Sequence, residues 1–99
     1  MTPRLLLEDE AEADYREALR WYAARSPAVA DRFRGRVSEV LEAIEQGPKR
    51  FPIALRDIRK ARVQRFPYVV YYVELDEVIS VIAIIHGRWD PKRWQKRRR

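Results

Sequence analysis

The residues able to move a proton or hold a phosphate are few in this chain, and they fall in two short stretches. The single histidine, His86, ends an apolar run, and Arg88 follows two positions later. Upstream, Arg59, Lys60, Arg62 and Arg65 crowd one segment. Side chains alternate along a strand, so Lys60, Arg62 and Gln64 would share one face and Ala61, Val63 and Arg65 the other. A cationic strand face beside an imidazole would suit an RNase built on Lys60, Arg62, His86 and Arg88. The same residues also read as a charged exposed strand and a histidine with a structural hydrogen bond. Cysteine is absent, which removes thiolate nucleophiles, disulfides and zinc-thiolate sites. One histidine leaves no two-histidine metal site. No metal and no cofactor is expected.

The stretch His86-Gly87-Arg88-Trp89-Asp90-Pro91-Lys92-Arg93-Trp94 carries a second kind of chemistry. Gly87 permits a sharp exit from a strand, and Asp90-Pro91 suits the start of a helical turn. Two tryptophans stand among cations, and Arg and Trp are the residues most enriched at interface hot spots. Arg88, Trp89, Asp90, Lys92, Arg93 and Trp94 therefore read as a surface that grips a charged macromolecule. The alternative is that one or both tryptophans fold back to cover a sheet. Residues 88–99 hold seven basic residues against Asp90 alone, and Arg97, Arg98 and Arg99 read as a solvated tail.

Those residues need a scaffold, and 99 residues supply one domain. Hydrophobic residues make up 46% of the chain and charged residues 36%, so a folded core with a polar exterior is expected over residues 1–99. Residues 1–46 carry seven Arg against ten acids, and residues 47–99 carry fourteen Lys or Arg against five. The basic second half favours acidic partners. No run reaches the roughly 20 apolar residues of a membrane span, and residues 1–9 lack a signal-peptide pattern. A cytoplasmic protein is expected.

Residues 4–7 form an apolar run suited to a starting strand. Ala11, Tyr15, Ala18, Leu19 and Tyr22 then repeat at helical spacing, which predicts a helix over residues 10–25, with Asp9 and Glu12 as a capping box. Ser26-Pro27 supplies an N-cap and a first-turn proline for a second helix that Gly47-Pro48 ends. With almost no loop between them, the helices must form an antiparallel hairpin. Residues 47–59 read as a packed loop. Three β segments follow at residues 60–66, 68–75 and 78–86, with a hairpin across Asp76-Glu77. Placing Leu75 opposite Val78 puts Val73 opposite Ser80, Tyr71 opposite Ile82 and Val69 opposite Ile84. The other face then carries Tyr72 with Val81, Val70 with Ala83 and Tyr68 with Ile85. Both faces are apolar, and one helical hairpin covers only one of them. The fold class is α+β: an N-terminal strand, an antiparallel two-helix hairpin on a small, mainly antiparallel sheet in the order β-α-α-β-β-β, and a basic C-terminal tail.

This order of elements, with "FPYVVYYV", an apolar strand and "HGRWDPKRW", resembles the RelE/ParE superfamily of type II toxin–antitoxin toxins over residues 4–95, and is most similar to ParE-like (plasmid stabilisation) members. Arg88, Asp90 and Pro91 match the motif that commonly ends the last strand there, while Trp89 stands where a second Arg is usual. The resemblance implies a small toxin held inactive by a cognate antitoxin. It also implies one of two actions: RelE-like members cleave mRNA in the ribosome, and ParE-like members bind and poison DNA gyrase. The cleaving branch typically opens the strand containing Val69-Val70-Tyr71 with an Arg and carries a C-terminal Tyr. Here Pro67-Tyr68 stands at that strand, and no Tyr follows Glu77. The gyrase action is therefore expected, with the RNase and a non-toxic interaction module as alternatives. On the second sheet face, Tyr68, Tyr72 and Ile85 are the expected antitoxin contacts.

Overall fold

Ser26 decides how the helices meet. Its N–H ends helix α1 (Asp9–Arg25) by donating to the Tyr22 carbonyl, and its Oγ accepts the Val29 N–H at 3.3 Å to open helix α2 (Pro27–Gln46). One residue thus ends one helix and caps the next, a contribution of about 1 kcal/mol. The computed structural model describes residues 3–88 and 91–97, Arg93 by its backbone alone. Trp89, Asp90 and the Arg93 side chain, all expected target contacts, lie outside the described residues. The expected capping box at Asp9 does not form. Helix α1 already begins at Asp9, and the residue before it, Glu8, makes no side-chain cap, because its carboxylate accepts the Ser80 hydroxyl instead. The N–H of Glu8 bonds Val81 at 2.9 Å, so strand β1 (Arg4–Leu7) leads into α1 while still tied to the sheet.

The sheet has five strands in the order β1-β5-β4-β3-β2, with β2 Ile53–Leu55, β3 Ile58–Arg62, β4 Tyr68–Leu75 and β5 Val78–His86. β1 runs parallel to β5, and the other pairs are antiparallel. β2 replaces part of the expected loop. It is three residues long, too short to show a period, and it follows a single 3-10 turn at Pro48–Arg50. β3 also starts and stops earlier than expected. Its pairing with β4 ends at Arg62 opposite Val69, and Arg65 turns the chain with a positive φ of 68°. Arg65 is consequently a turn residue, off the strand face shared by Ala61 and Val63.

The β4–β5 register follows the expectation from Leu75–Val78 to Tyr72–Val81 and then shifts by one residue. Ile82 is the extra residue of a bulge, after which Tyr71 opposes Ala83 and Tyr68 opposes His86. The slip exchanges faces beyond it. His86 joins Tyr68 on the helix side, and Ile85 moves to the opposite side.

On the helix side, Ala11, Ala18, Phe33, Val37, Val40 and Ile44 pack against Ala61, Val63, Val70, Tyr72, Ile79, Val81 and Ile84. Phe33 sits among rings, with Tyr22, Phe66 and Tyr68 centred 5.0, 5.1 and 5.2 Å away. On the opposite side, Ile58, Val73, Ile82, Ala83 and Ile85 form a second cluster, which Trp94 covers. Trp94 comes from the short helix α3 (Lys92–Gln95), is 3% exposed, and stacks on Tyr71 at 4.2 Å and 19°. The tail is therefore partly core. Arg97 is also anchored, by an ion pair with Asp14 at 2.7 Å, which corrects its reading as solvated tail. Arg98 and Arg99 lie outside the described residues.

Tyr72 is fully buried, and its hydroxyl donates to the Pro48 carbonyl at 2.5 Å, fastening the 3-10 turn to β4. Burial is the main cause that pushes this phenol up to about 12; nearby Arg59 opposes the shift and Glu74 adds to it. All five tyrosines are shifted upward, each chiefly by burial. The folded state favours the neutral phenols, so their stabilisation is complete below the unfolded value of 10.0 and is lost as pH rises above it, toward about 12 in the case of Tyr72. Urea midpoints should hold steady up to roughly pH 9 and then fall. Tyr72→Phe should cost about 1 kcal/mol at neutral pH and make that alkaline fall shallower; an unchanged alkaline slope would contradict the role given to this hydroxyl.

Candidate functional site

The sheet face turned away from the helices carries the cations. Lys60 opposes Tyr71 and Arg62 opposes Val69 across β3 and β4, and both cations are exposed. They border half-buried Tyr71, whose ring Trp94 covers; Trp94, expected as a target contact, is 3% exposed and belongs to the core instead. Exposed Lys92 adds a cation from α3. Arg65 and Arg88, both exposed, sit at the end of the sheet where β3 ends and β5 finishes. An arginine in the left-handed region costs roughly 1 kcal/mol against glycine, and Arg65 holds that conformation at the rim of the basic surface. Sequence alternation missed this position, because the strand stops three residues before it.

Arg59 does not belong with these cations. Its guanidinium donates to the Phe51 carbonyl at 2.7 Å and lies 3.9 Å from Glu74, holding the irregular segment before β2 against the sheet.

His86 lies on the other face. Its ring sits 5.6 Å from Tyr68, and its Nδ1 accepts the Arg88 N–H at 3.0 Å. That hydrogen bond occupies Nδ1, which leaves Nε2 to carry the proton of the neutral ring. The sheet stands between this imidazole and the pair Lys60 and Arg62. Of the four residues of the RNase reading, Lys60 and Arg62 are thus divided from His86 by the sheet, while Arg88 stays next to His86 at the end of β5.

The three expected antitoxin contacts also separate. Tyr72 is sealed under the helices, and Ile85 is 1% exposed in the cluster that Trp94 covers. Only half-buried Tyr68 keeps accessible surface. The slip at Ile82 is the reason: the expected register placed Ile85 beside Tyr68, and the bulge puts His86 there.

The structure adds a second surface that composition and periodicity did not indicate. Between α1 and the far end of β5 lies a groove of about 320 Å³, lined from the helix by Asp14, Glu17, Ala18 and Trp21. These fall at i, i+3, i+4 and i+7, a stripe adjacent to the apolar one. The sequence signal was present in Trp21, a large ring off the apolar face, and it is 51% exposed.

A two-helix hairpin on one side of a five-stranded sheet, with exposed cations on the other, is the α+β architecture that the RelE/ParE resemblance implies. A sequence model of the family described as "ParE toxin of type II toxin-antitoxin system, parDE" matches residues 5–91. The chain belongs to that ParE toxin family. It is 34% identical over 92 residues to two curated relatives named "Toxin ParE2" from Mycobacterium tuberculosis, strains CDC 1551 / Oshkosh and ATCC 25618 / H37Rv, covering 92% of this chain and 88% of each relative. In fold it matches a solved chain of the chromosomal ParDE TA system from P. aeruginosa, with a TM-score of 0.76 at 17% identity, over 86% of this chain and 96% of that one.

Proposed function

We propose that the chain arrests growth by binding and poisoning DNA gyrase, and that a cognate antitoxin neutralises it. The family supports the toxin class and implies an antitoxin. One observation favours a binding action over RNA cleavage: Lys60 and Arg62 lie on the open sheet face, while His86 lies behind the sheet with Nδ1 engaged. A general acid and base must both reach one substrate, and the sheet separates Lys60 and Arg62 from His86. A surface of exposed cations needs no such convergence to hold a large partner.

Induced expression of the chain alone should stop bacterial growth, and co-expression of the small protein encoded beside it should restore growth. The arrested cells should show broken DNA and an induced DNA-damage response, because a poisoned gyrase leaves cleaved DNA behind. Unimpaired growth at high soluble expression would remove the toxin reading. Arrest with codon-phased mRNA cuts and intact DNA would replace gyrase with the ribosome.

A further inference from the structure

β5 outruns its neighbour. β1 pairs with it only from Val78 to Val81, so residues 82–86 have no strand along their outer edge. Two side chains occupy the beginning of that edge. Asp14 accepts the Ile84 N–H at 3.1 Å, and Arg97 donates to the Ile82 carbonyl at 3.0 Å. The same guanidinium holds Asp14 at 2.7 and 3.2 Å and Glu10 at 3.2 Å. An arginine–carboxylate pair thus stands where the peptide groups of another strand would stand.

The edge continues past this pair. Strand alternation puts the His86 N–H on the same side as that of Ile84, and there it opens on the groove beneath α1. Glu17, three residues beyond Asp14, lies at the mouth of that groove, and no described residue forms an ion pair with it. Trp21, Tyr22 and Tyr68 supply the walls. The Trp21 ring already carries the guanidinium of Arg25, 3.6 Å from its centre, so this ring is a working cation–π acceptor.

We propose that the groove docks an extended segment of another protein, which pairs with the outer edge of β5 at residues 84–86 and places an arginine between Glu17 and the aromatic wall. Strand addition supplies backbone hydrogen bonds, and the pocket supplies selectivity. Arginine fits better than lysine, because a planar guanidinium stacks on rings while its N–H groups meet a carboxylate. Arg97 on Asp14 is the chain's own instance of the arrangement. An acidic side chain would meet Glu17 and be repelled, while Asp14 is already paired with Arg97, so this groove selects against what the basic sheet face attracts. The site stands apart from the gyrase reading and does not depend on it.

The test uses the full-length, isotope-labelled chain titrated with acetyl-Val-Arg-Val-amide and with the same peptide carrying citrulline, the uncharged isostere. The arginine peptide should give saturable NMR shifts at the Trp21 indole and the Ile84 and His86 amides, and it should bind about fivefold tighter than the citrulline peptide. Glu17→Gln should shrink that difference to below about twofold, the remainder being the cation–π contribution of Trp21, without moving the thermal melt, since the side chain is exposed. Trp21→Ala should weaken both peptides. Absence of saturable shifts at these groups would overturn the proposal. Equal affinity for the two peptides would do the same, leaving only an unselective apolar groove.

Discussion

Replacing Trp94 by alanine should lower stability by about 3 kcal/mol, a loss typical of emptying a large aromatic site. The side chain is 3% exposed, stacks on Tyr71 and covers Ile58, Val73, Ile82, Ala83 and Ile85. Without it, the second apolar sheet face meets water. For a domain of this size the melting temperature should fall by on the order of 15 °C. Arg97→Ala should cost about 2 kcal/mol, since it strips the partner from an Asp14 side chain only 10% exposed and from the Ile82 carbonyl. Deleting residues 88–99 combines both losses and should leave the chain at or near the unfolded state, given total stabilities of roughly 5–15 kcal/mol. From the sequence alone, residues 88–99 read as a basic tail outside the α+β core; the packing of Trp94 and Arg97 makes part of it core. Thermal melts of the three variants decide it, and a truncated chain melting within a few degrees of the intact one would show that α3 is dispensable packing.

Reversing charge at Lys60 and Arg62 together should abolish growth arrest while the chain stays folded. Both side chains are exposed on the open face, so Lys60→Glu with Arg62→Glu leaves both apolar clusters intact. Electrostatic steering by this face should vanish with the reversal, lowering the association rate for an acidic target at least tenfold at low salt. His86→Ala should keep most of the toxicity, because its imidazole lies on the other side of the sheet. Growth assays with circular dichroism on each variant measure both quantities. Full toxicity in the double reversal, or its complete loss in His86→Ala alone, would move the active surface away from the open face.

The long elements were legible because their signals are local. Ser26-Pro27 and the repeat from Val29 to Ile44 mark the helices through capping and period, the segments at 68–75 and 78–86 were marked by their apolar runs, and the one at 60–66 by alternation. The Leu75–Val78 end of the hairpin followed from its tight turn. What stayed hidden depends on contacts between distant residues. The bulge at Ile82 has no sequence mark, since Ile82, Ala83, Ile84 and Ile85 are all apolar and any register buries them. That single residue separates Tyr68 from Ile85 and carries His86 to the helix side, dissolving both expected residue sets at once. β2 was too short to announce itself. Arg97 looked like part of a charged tail because its partner, Asp14, lies far away in sequence; Trp94 read either as a target contact or as a cover for the sheet, and it is the cover. The resemblance carried in "FPYVVYYV" and "HGRWDPKRW" identified the family, while the position of each site residue depended on the register.

The most direct measurement of the central claim is a supercoiling assay with purified gyrase and relaxed plasmid, run beside a translating-ribosome cleavage assay on the same preparation of the full chain. The account predicts that supercoiling stops and linear DNA accumulates in proportion to added protein, that Lys60→Glu with Arg62→Glu removes both effects, and that mRNA stays intact. Undisturbed supercoiling together with mRNA cut on the ribosome would contradict it.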